Sequence, residues 1–302
     1  MITPEQAIEG VYERFGRHPG RRALHAKGTM LRGTFTAAEE AASLTRAAHM
    51  QGTPVEVTAR VSNAGGDPGV PDYESDLRGL AVIFHLPDGS RTAIVSQTAP
   101  RFPVKTPDAF IGLLQAQKLP AAIWRLPLFL AQHPGVLLTL PANLPALRPP
   151  ESYATCRYYA IHAFKWADSG GGERYVRYTW LPEAGDVRIS GGEAKERGAD
   201  YLQEEIVERL ARGPVRFNLE LQIAGEGDGV DDPTAVWPEE RRRVTAGALE
   251  LTALDDGSTG GDALVFDPVD VTDGIELSAD PVLAFRPRAY SVSAERRLSA
   301  SP

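Results

Sequence analysis

The strongest constraint on this fold is a series of short segments in which apolar and polar residues alternate. A period of two puts one set of side chains on each face of a β-strand. Val55-Glu-Val-Thr-Ala-Arg-Val61 is the clearest, Gly79-Leu-Ala-Val-Ile-Phe-His85 is a strand-length apolar run beside it, and Pro87-Asp-Gly89 supplies a turn after the second. Tyr158 to Phe164, Tyr175 to Trp180 and Arg216 to Ile223 continue the pattern later in the chain. Strands scattered in this way, with no internal repeat and no extended linker, fit one closed antiparallel sheet dressed with helices better than two domains. A single domain over residues 1–302 is expected.

Helices fall between and around these strands. Thr3 as N-cap and Pro4 at the first helical position open a helix over 4–16. Thr36 to His49 is acidic early and basic late, in agreement with the helix dipole, and is predicted helical. Thr106-Pro-Asp starts a pair of helices at 107–117 and 120–132. A long amphipathic helix is predicted at 193–212, and Asp280-Pro281 caps a last one that runs to about Arg297.

Charge and cysteine content exclude several classes. A net charge of −8 argues against a nucleic-acid partner, for which a basic face is expected. The single cysteine, Cys156, permits no internal disulfide and no thiolate cluster, and fits a small buried apolar residue. The most apolar stretch, Leu113 to Leu147, is broken by Lys118, Arg125, His133 and prolines, so it could not cross a bilayer as one helix. No membrane partner is expected, and with no targeting segment apparent a cytoplasmic location is expected. No two of the six histidines are four residues apart, so a helix-borne zinc site is unsupported. Gly170-Gly-Gly172 lacks the following Lys-Ser/Thr of a phosphate loop.

The chemistry concentrates at the carboxyl end. Arg286, Tyr290 and Arg297 are spaced so that a helix puts all three on roughly one face. A phenol, with an unperturbed pKa of about 10, is a poor metal ligand at neutral pH. A guanidinium against it favours the phenolate, a strong oxygen donor for ferric iron.

The chain resembles the haem catalases, and within them the small, catalase-related peroxidases. The likeness is carried by Arg22-x-x-His25-Ala-Lys-Gly28, Arg60-Val-Ser62, Ser75-Asp-Leu-Arg-Gly79 and Val95-Ser-Gln-Thr-Ala-Pro-Arg-Phe102. It continues in Asp232-Pro-Thr-Ala-Val-Trp-Pro238, Phe266-Asp-Pro268, Gly274-Ile-Glu and Arg286-Pro-Arg-Ala-Tyr290. Each motif is weak alone, but their order and internal spacings make a specific signal.

The resemblance implies an α+β fold, an antiparallel eight-stranded β-barrel with surrounding helices. It implies haem b as cofactor, with Tyr290 as the iron ligand and Arg286 as its partner. His25 would lie over the opposite side of the haem as the acid–base group, with Ser62 fixing its tautomer. Arg22, Arg60 and Arg297 match the arginines that hold the haem propionates. Phe102 and Phe110 match pocket aromatics, Phe266 takes a similar part on the side of the tyrosine, and Asp76 matches an acidic position in the substrate channel. The implied activity is that of a peroxidase, in which a peroxide forms a ferryl–porphyrin radical that a small organic electron donor reduces. The rivals are a true catalase that dismutates hydrogen peroxide and a non-catalytic barrel that binds haem or another apolar ligand. A monomer or small homo-oligomer is expected.

Two departures from the family pattern bear on the chemistry. Catalases usually carry asparagine where this chain has Gln97, which keeps the amide donor and is expected to handle the peroxide together with His25. One extra methylene means the amide must fold back or reach too far into the pocket, and Thr98 is an alternative donor. Pro287 lies between Arg286 and Tyr290 and is predicted to bend the helix that pairs them.

Overall fold

The computed structural model describes residues 2–257 and 263–299. Helix α1 (Pro4–Phe15) is followed by β1 (Gly28–Ala37), the single turn α2 (Glu39–Ala42), β2 (Val55–Asn63), β3 (Arg78–His85) and β4 (Arg91–Gln97). Three helices come next, α3 (Pro107–Ala116), α4 (Ala122–Gln132) and α5 (Gly135–Asn143). The chain then returns to strands β5 (Tyr158–Ala167) and β6 (Glu173–Pro182), helices α6 (Gly191–Arg197) and α7 (Tyr201–Arg212), and strands β7 (Val215–Ile223) and β8 (Arg243–Leu254). A short β9 (Ile275–Leu277) and the long α8 (Pro281–Leu298) complete it.

Strands β1 to β8 pair antiparallel in chain order, β8 returns to β1, and β9 adds to β5. The eight therefore form a closed barrel. Closure between β4 and β5 rests on one residue pair, Gln97 opposite Tyr159. Residues from all eight strands meet in one buried cluster, where Phe35 lies edge-on to Phe84 at 5.1 Å and to Trp180 at 6.1 Å. The alternation along β2 has two uses: Val57, Ala59 and Val61 join that cluster, whereas Arg60 and Ser62 face a cavity on the other side.

Helices α1, α3 and α8 pack together over that cavity, with Ile8, Val11 and Leu114 in the contact and Ala289 and Val292 of α8 against them. Helix α1 begins as its sequence predicts, since Thr3 and Gln6 form a reciprocal capping box. Helix α8 starts with Asp280 Oδ1 accepting from the backbone N–H groups of Val282 and Leu283.

Two predicted helices are corrected. Of Thr36 to His49, only α2 and a 3₁₀ turn at Ala48–Met50 are helical. Thr36 and Ala37 belong to β1 and pair with Ala248 and Gly247. Beyond α2, the Thr45 hydroxyl donates to the Gly274 carbonyl and Arg46 pairs with Asp273, which pins the segment in a non-helical path. The helix predicted at 193–212 is two, because Gly198 takes a φ of +107° that ends α6. Pro287, in contrast, leaves α8 continuous through Tyr290.

Candidate active site

The cavity has a volume of about 870 Å³ and lies against the outer face of β2–β5, beneath α1, α3 and α8. Arg22, His25, Arg60, Ser62, Gln97, Phe102, Phe110, Phe266, Arg286, Tyr290 and Arg297 all line it, so residues spread over 276 positions of the sequence are brought to one space. Asp76 is there too.

His25 is held by an unusual backbone. Its φ of +56° is left-handed, the only positive value for a described residue other than glycine. The turn is fixed by the His25 N–H donating to Ala64 O and the Ala26 N–H donating to Gly65 O, both at 3.0 Å. Asp76 supports the same loop by accepting from the N–H of Gly65 at 2.9 Å. The imidazole then lies over Gly79, where a Cβ would come within 2.8 Å of Cε1. His25 Nδ1 and Ser62 Oγ are hydrogen-bonded at 2.9 Å, which leaves Nε2 as the nitrogen available to a substrate. Burial, followed by the charges of Arg60, Arg286 and Arg22, pushes the ring down to about 3, so it is a neutral imidazole at physiological pH.

Tyr290 receives two N–H donors from one guanidinium. Arg286 Nε reaches its oxygen at 3.0 Å, and Nη2 makes a second, shorter bond. Two parallel donors of this kind suit an oxygen that carries negative charge. The pairing survives Pro287, since residues four apart share a face of the unbroken helix. Arg286 Nη1 goes on to His162 Nε2 at 2.9 Å, and His162 Nδ1 donates to Asp280 Oδ2 at 2.6 Å. Both members of that last pair are 1% exposed. Asp280 thus caps α8 with one oxygen and anchors the His162–Arg286–Tyr290 chain with the other. The sequence marks Asp280 only as a helix cap and gives His162 no role. The only signal was a histidine in the middle of an otherwise apolar strand, which needs a buried partner.

The remaining residues divide into cations and walls. Arg60 and Arg297 are each 5% exposed, and Arg22 donates to Leu264 O at 2.9 Å while lying over the Phe266 ring. Phe102 and Phe110 pack against each other, tilted by 33°, with ring centres 5.0 Å apart. The Phe102 N–H donates to Pro233 O, so the Asp232–Pro238 loop, clamped by Arg177, positions a cavity wall. Gln97 turns its amide back onto the Ala99 carbonyl at 3.4 Å. Thr98 is not a donor to the cavity. The next residue on a strand points the other way, and its buried hydroxyl accepts from the Arg78 N–H at 3.0 Å.

The buried histidines make the fold acid-sensitive. Burial lowers His49 to about 3 and His162 to about 4 from an ordinary 6.5. Between those values an unfolded chain takes up protons that the folded one refuses, so stability falls as pH drops from about 6.5 toward 4. Two such groups give a slope of about 2.7 kcal/mol per pH unit once the unfolded chain is fully protonated, and His25 adds in the same direction. Denaturant midpoints of the haem-free protein measured from pH 7 to 4.5 will decline along this course. A midpoint that stays constant across that range contradicts it.

Apolar walls, a phenol backed by a guanidinium, a tethered imidazole and three arginines make a receptor for a flat cofactor with a metal centre and carboxylate arms. Haem fits this set: the phenol is an oxygen donor for iron, and the arginines match two propionates. The chain belongs to the catalase family, whose sequence model matches residues 11–301. It is 44% identical over 299 residues to the catalase-related peroxidase of Mycolicibacterium paratuberculosis, covering 98% of this chain and 95% of the relative. The catalase-related peroxidase of Synechococcus elongatus is 32% identical, with 98% and 89% covered. Catalase A from Saccharomyces cerevisiae superposes with a TM-score of 0.82 at 23% identity, over 93% of this chain and 62% of that one, which extends the barrel fold to it.

Proposed function

We propose that the protein is a haem-dependent peroxidase that reduces hydrogen peroxide or an organic hydroperoxide with electrons from a small organic donor. The observation that carries this reading is the Asp280–His162–Arg286–Tyr290 chain opening onto the same cavity as the Ser62–His25 pair. The names of the two relatives above support it. Tyr290 would hold the iron of haem b, and Arg22, Arg60 and Arg297 its propionates. When bound, the haem supplies the electrons that cleave the peroxide bond and afterwards withdraws them from the donor.

The chain's own residues manage protons and position. Neutral His25 accepts the proton of a bound peroxide at Nε2 and returns it to the leaving oxygen. Ser62 keeps the ring turned for that exchange, since its bond occupies Nδ1. The Arg286 guanidinium balances charge on the Tyr290 oxygen, and buried Asp280 keeps His162 oriented with Nε2 toward Arg286. Phe102, Phe110 and Phe266 exclude water around the cofactor. A single domain over 1–302, a monomer or small homo-oligomer, and a cytoplasmic location for a chain with one cysteine belong to the same proposal.

Gln97 disfavours dismutation, because its amide nitrogen is drawn toward the Ala99 carbonyl and so is not set to donate to a peroxide as a shorter asparagine would be. Gln97→Asn will raise oxygen release from hydrogen peroxide, relative to donor oxidation, on the order of tenfold. An unchanged ratio contradicts this account of residue 97. The reading as a whole is tested by adding hydrogen peroxide to the haem-loaded protein with and without a chromogenic donor. Donor oxidation with little oxygen release is expected. Vigorous oxygen release without donor would make it a catalase, and haem that no peroxide alters would make it a binding protein.

A further inference from the structure

Helices α4 and α5 wall the cavity on one side and are open on the other. Phe129 and Val136 pack inward against Phe102 and Phe110, while Leu126, Leu130 and Leu140 line the cavity. Outward, Leu119 is 77% exposed, Ile123 83%, Trp124 59%, Leu128 54%, Leu137 50% and Leu138 76%. Leu144, just after α5, is 55% exposed and lines the cavity as well, so the open apolar surface reaches the cavity wall. The other three tryptophans, Trp166, Trp180 and Trp237, are buried, so exposure at Trp124 is out of character for the chain. Isolated exposed leucines need no explanation, but this concentration within 26 residues does.

Charge decides what covers it. Residues 109–150 contain Lys118, Arg125 and Arg148 and no Asp or Glu, in a chain whose net charge is −8. All three cations are exposed. A two-fold contact between copies of this face would set these cations against their own kind, which opposes self-association. An apolar surface with a tryptophan, whose own charged residues are all cationic, matches an anionic lipid surface: rings and leucines sit at the headgroup boundary while Lys and Arg meet the phosphates. No helix among the described residues is long and apolar enough to cross a membrane, so the contact is a surface one.

We propose that the α4–α5 segment seats the protein on an anionic bilayer surface, with the cavity opening toward the acyl chains. This reverses the expectation of no membrane partner, which rested on the absence of a span. The cavity would then draw hydroperoxides of membrane acyl chains from the bilayer, and that part rests on the peroxidase reading above.

The test is flotation of the haem-loaded protein with vesicles of mixed phosphatidylglycerol and phosphatidylcholine. The protein will float with them, bind about a hundredfold less to vesicles of phosphatidylcholine alone, and be released by high salt. The double variant Ile123→Gln/Leu138→Gln, whose positions do not line the cavity, will stay at the bottom yet oxidise a donor with tert-butyl hydroperoxide at the wild-type rate. Wild-type protein that does not float with anionic vesicles overturns the docking. So does a dimer in solution that the double variant dissociates. Flotation without turnover of phosphatidylglycerol hydroperoxide, in protein that turns over tert-butyl hydroperoxide, overturns the delivery alone. Failure with both peroxides, in protein that floats, overturns the peroxidase reading and supports the docking.

Discussion

Tyr290→Phe protein will fold and will have no peroxide-dependent activity. The change removes one oxygen, and with it the only iron-ligating type of side chain in the proposed Asp280–His162–Arg286–Tyr290 chain that lines the cavity. Phenylalanine keeps the ring and its place in α8, and Arg286 keeps its bond to His162, so the barrel and its core are untouched. Haem that still enters the cavity will lack its phenolate ligand, and the absorption spectrum will change accordingly. Arg286→Leu tests the same link more gently. Loss of a group that orients and balances a ligand costs about 10- to 100-fold in metal affinity or activity, so this variant will retain weakened function. Full activity in Tyr290→Phe, measured as donor oxidation with hydrogen peroxide, contradicts the assignment.

His25→Asn will show the converse pattern. Its haem spectrum will match the wild type, while the rate of peroxide cleavage falls on the order of a thousandfold, in the middle of the range for a lost acid–base group. Asparagine is the informative replacement because the backbone at 25 has a φ of +56°, which asparagine tolerates better than alanine does. It also keeps a polar side chain beside Ser62 without a base of suitable strength. Stopped-flow mixing with hydrogen peroxide separates this first step from the later oxidation of the donor. A wild-type rate in that first step removes His25 from the mechanism. On the proposed reading, the two variants together divide the site into a side that holds the cofactor and a side that moves protons.

Much of this arrangement was legible in the sequence, for reasons that differ between elements. Strands β2 and β7 announce themselves by alternating apolar and polar residues, β3, β5 and β6 as strand-length runs of apolar and aromatic residues, and helices α1 and α8 because Thr3-Pro4 and Asp280-Pro281 are local capping signals. Strand β8, in contrast, contains Ala-Gly-Ala-Leu-Glu-Leu, a composition that favours helix. Its state is set by pairing with β1 and β7 on either side. Strand β1 has glycines at both 28 and 33, where a Cβ would collide with neighbouring backbone at Val61 O and Glu250 O. Close strand approach of that kind is a tertiary fact with no local signature. The false helix at 36–49 arose in the same way, since its charge order was real but Arg46 serves Asp273 in a distant loop.

The site was legible where one motif holds one role. Tyr290 and Arg286 are neighbours on a helix, and His25 and Ser62 sit in separate short motifs. The His162–Asp280 pair spans 118 residues, and each member is unremarkable locally, one a strand residue and the other a helix cap. Only the folded barrel brings β5 under the start of α8. Thr98 failed as a donor for a simpler reason: strand geometry turns it away from the face that Gln97 occupies.

Resonance Raman spectroscopy of the purified, haem-loaded protein addresses the central claim most directly, because it reports the atom bound to iron. Vibrations of a tyrosinate ring coupled to ferric iron are the predicted result, and they should disappear in Tyr290→Phe. An iron–histidine vibration, or an iron with no protein ligand in the wild-type protein, would contradict the account.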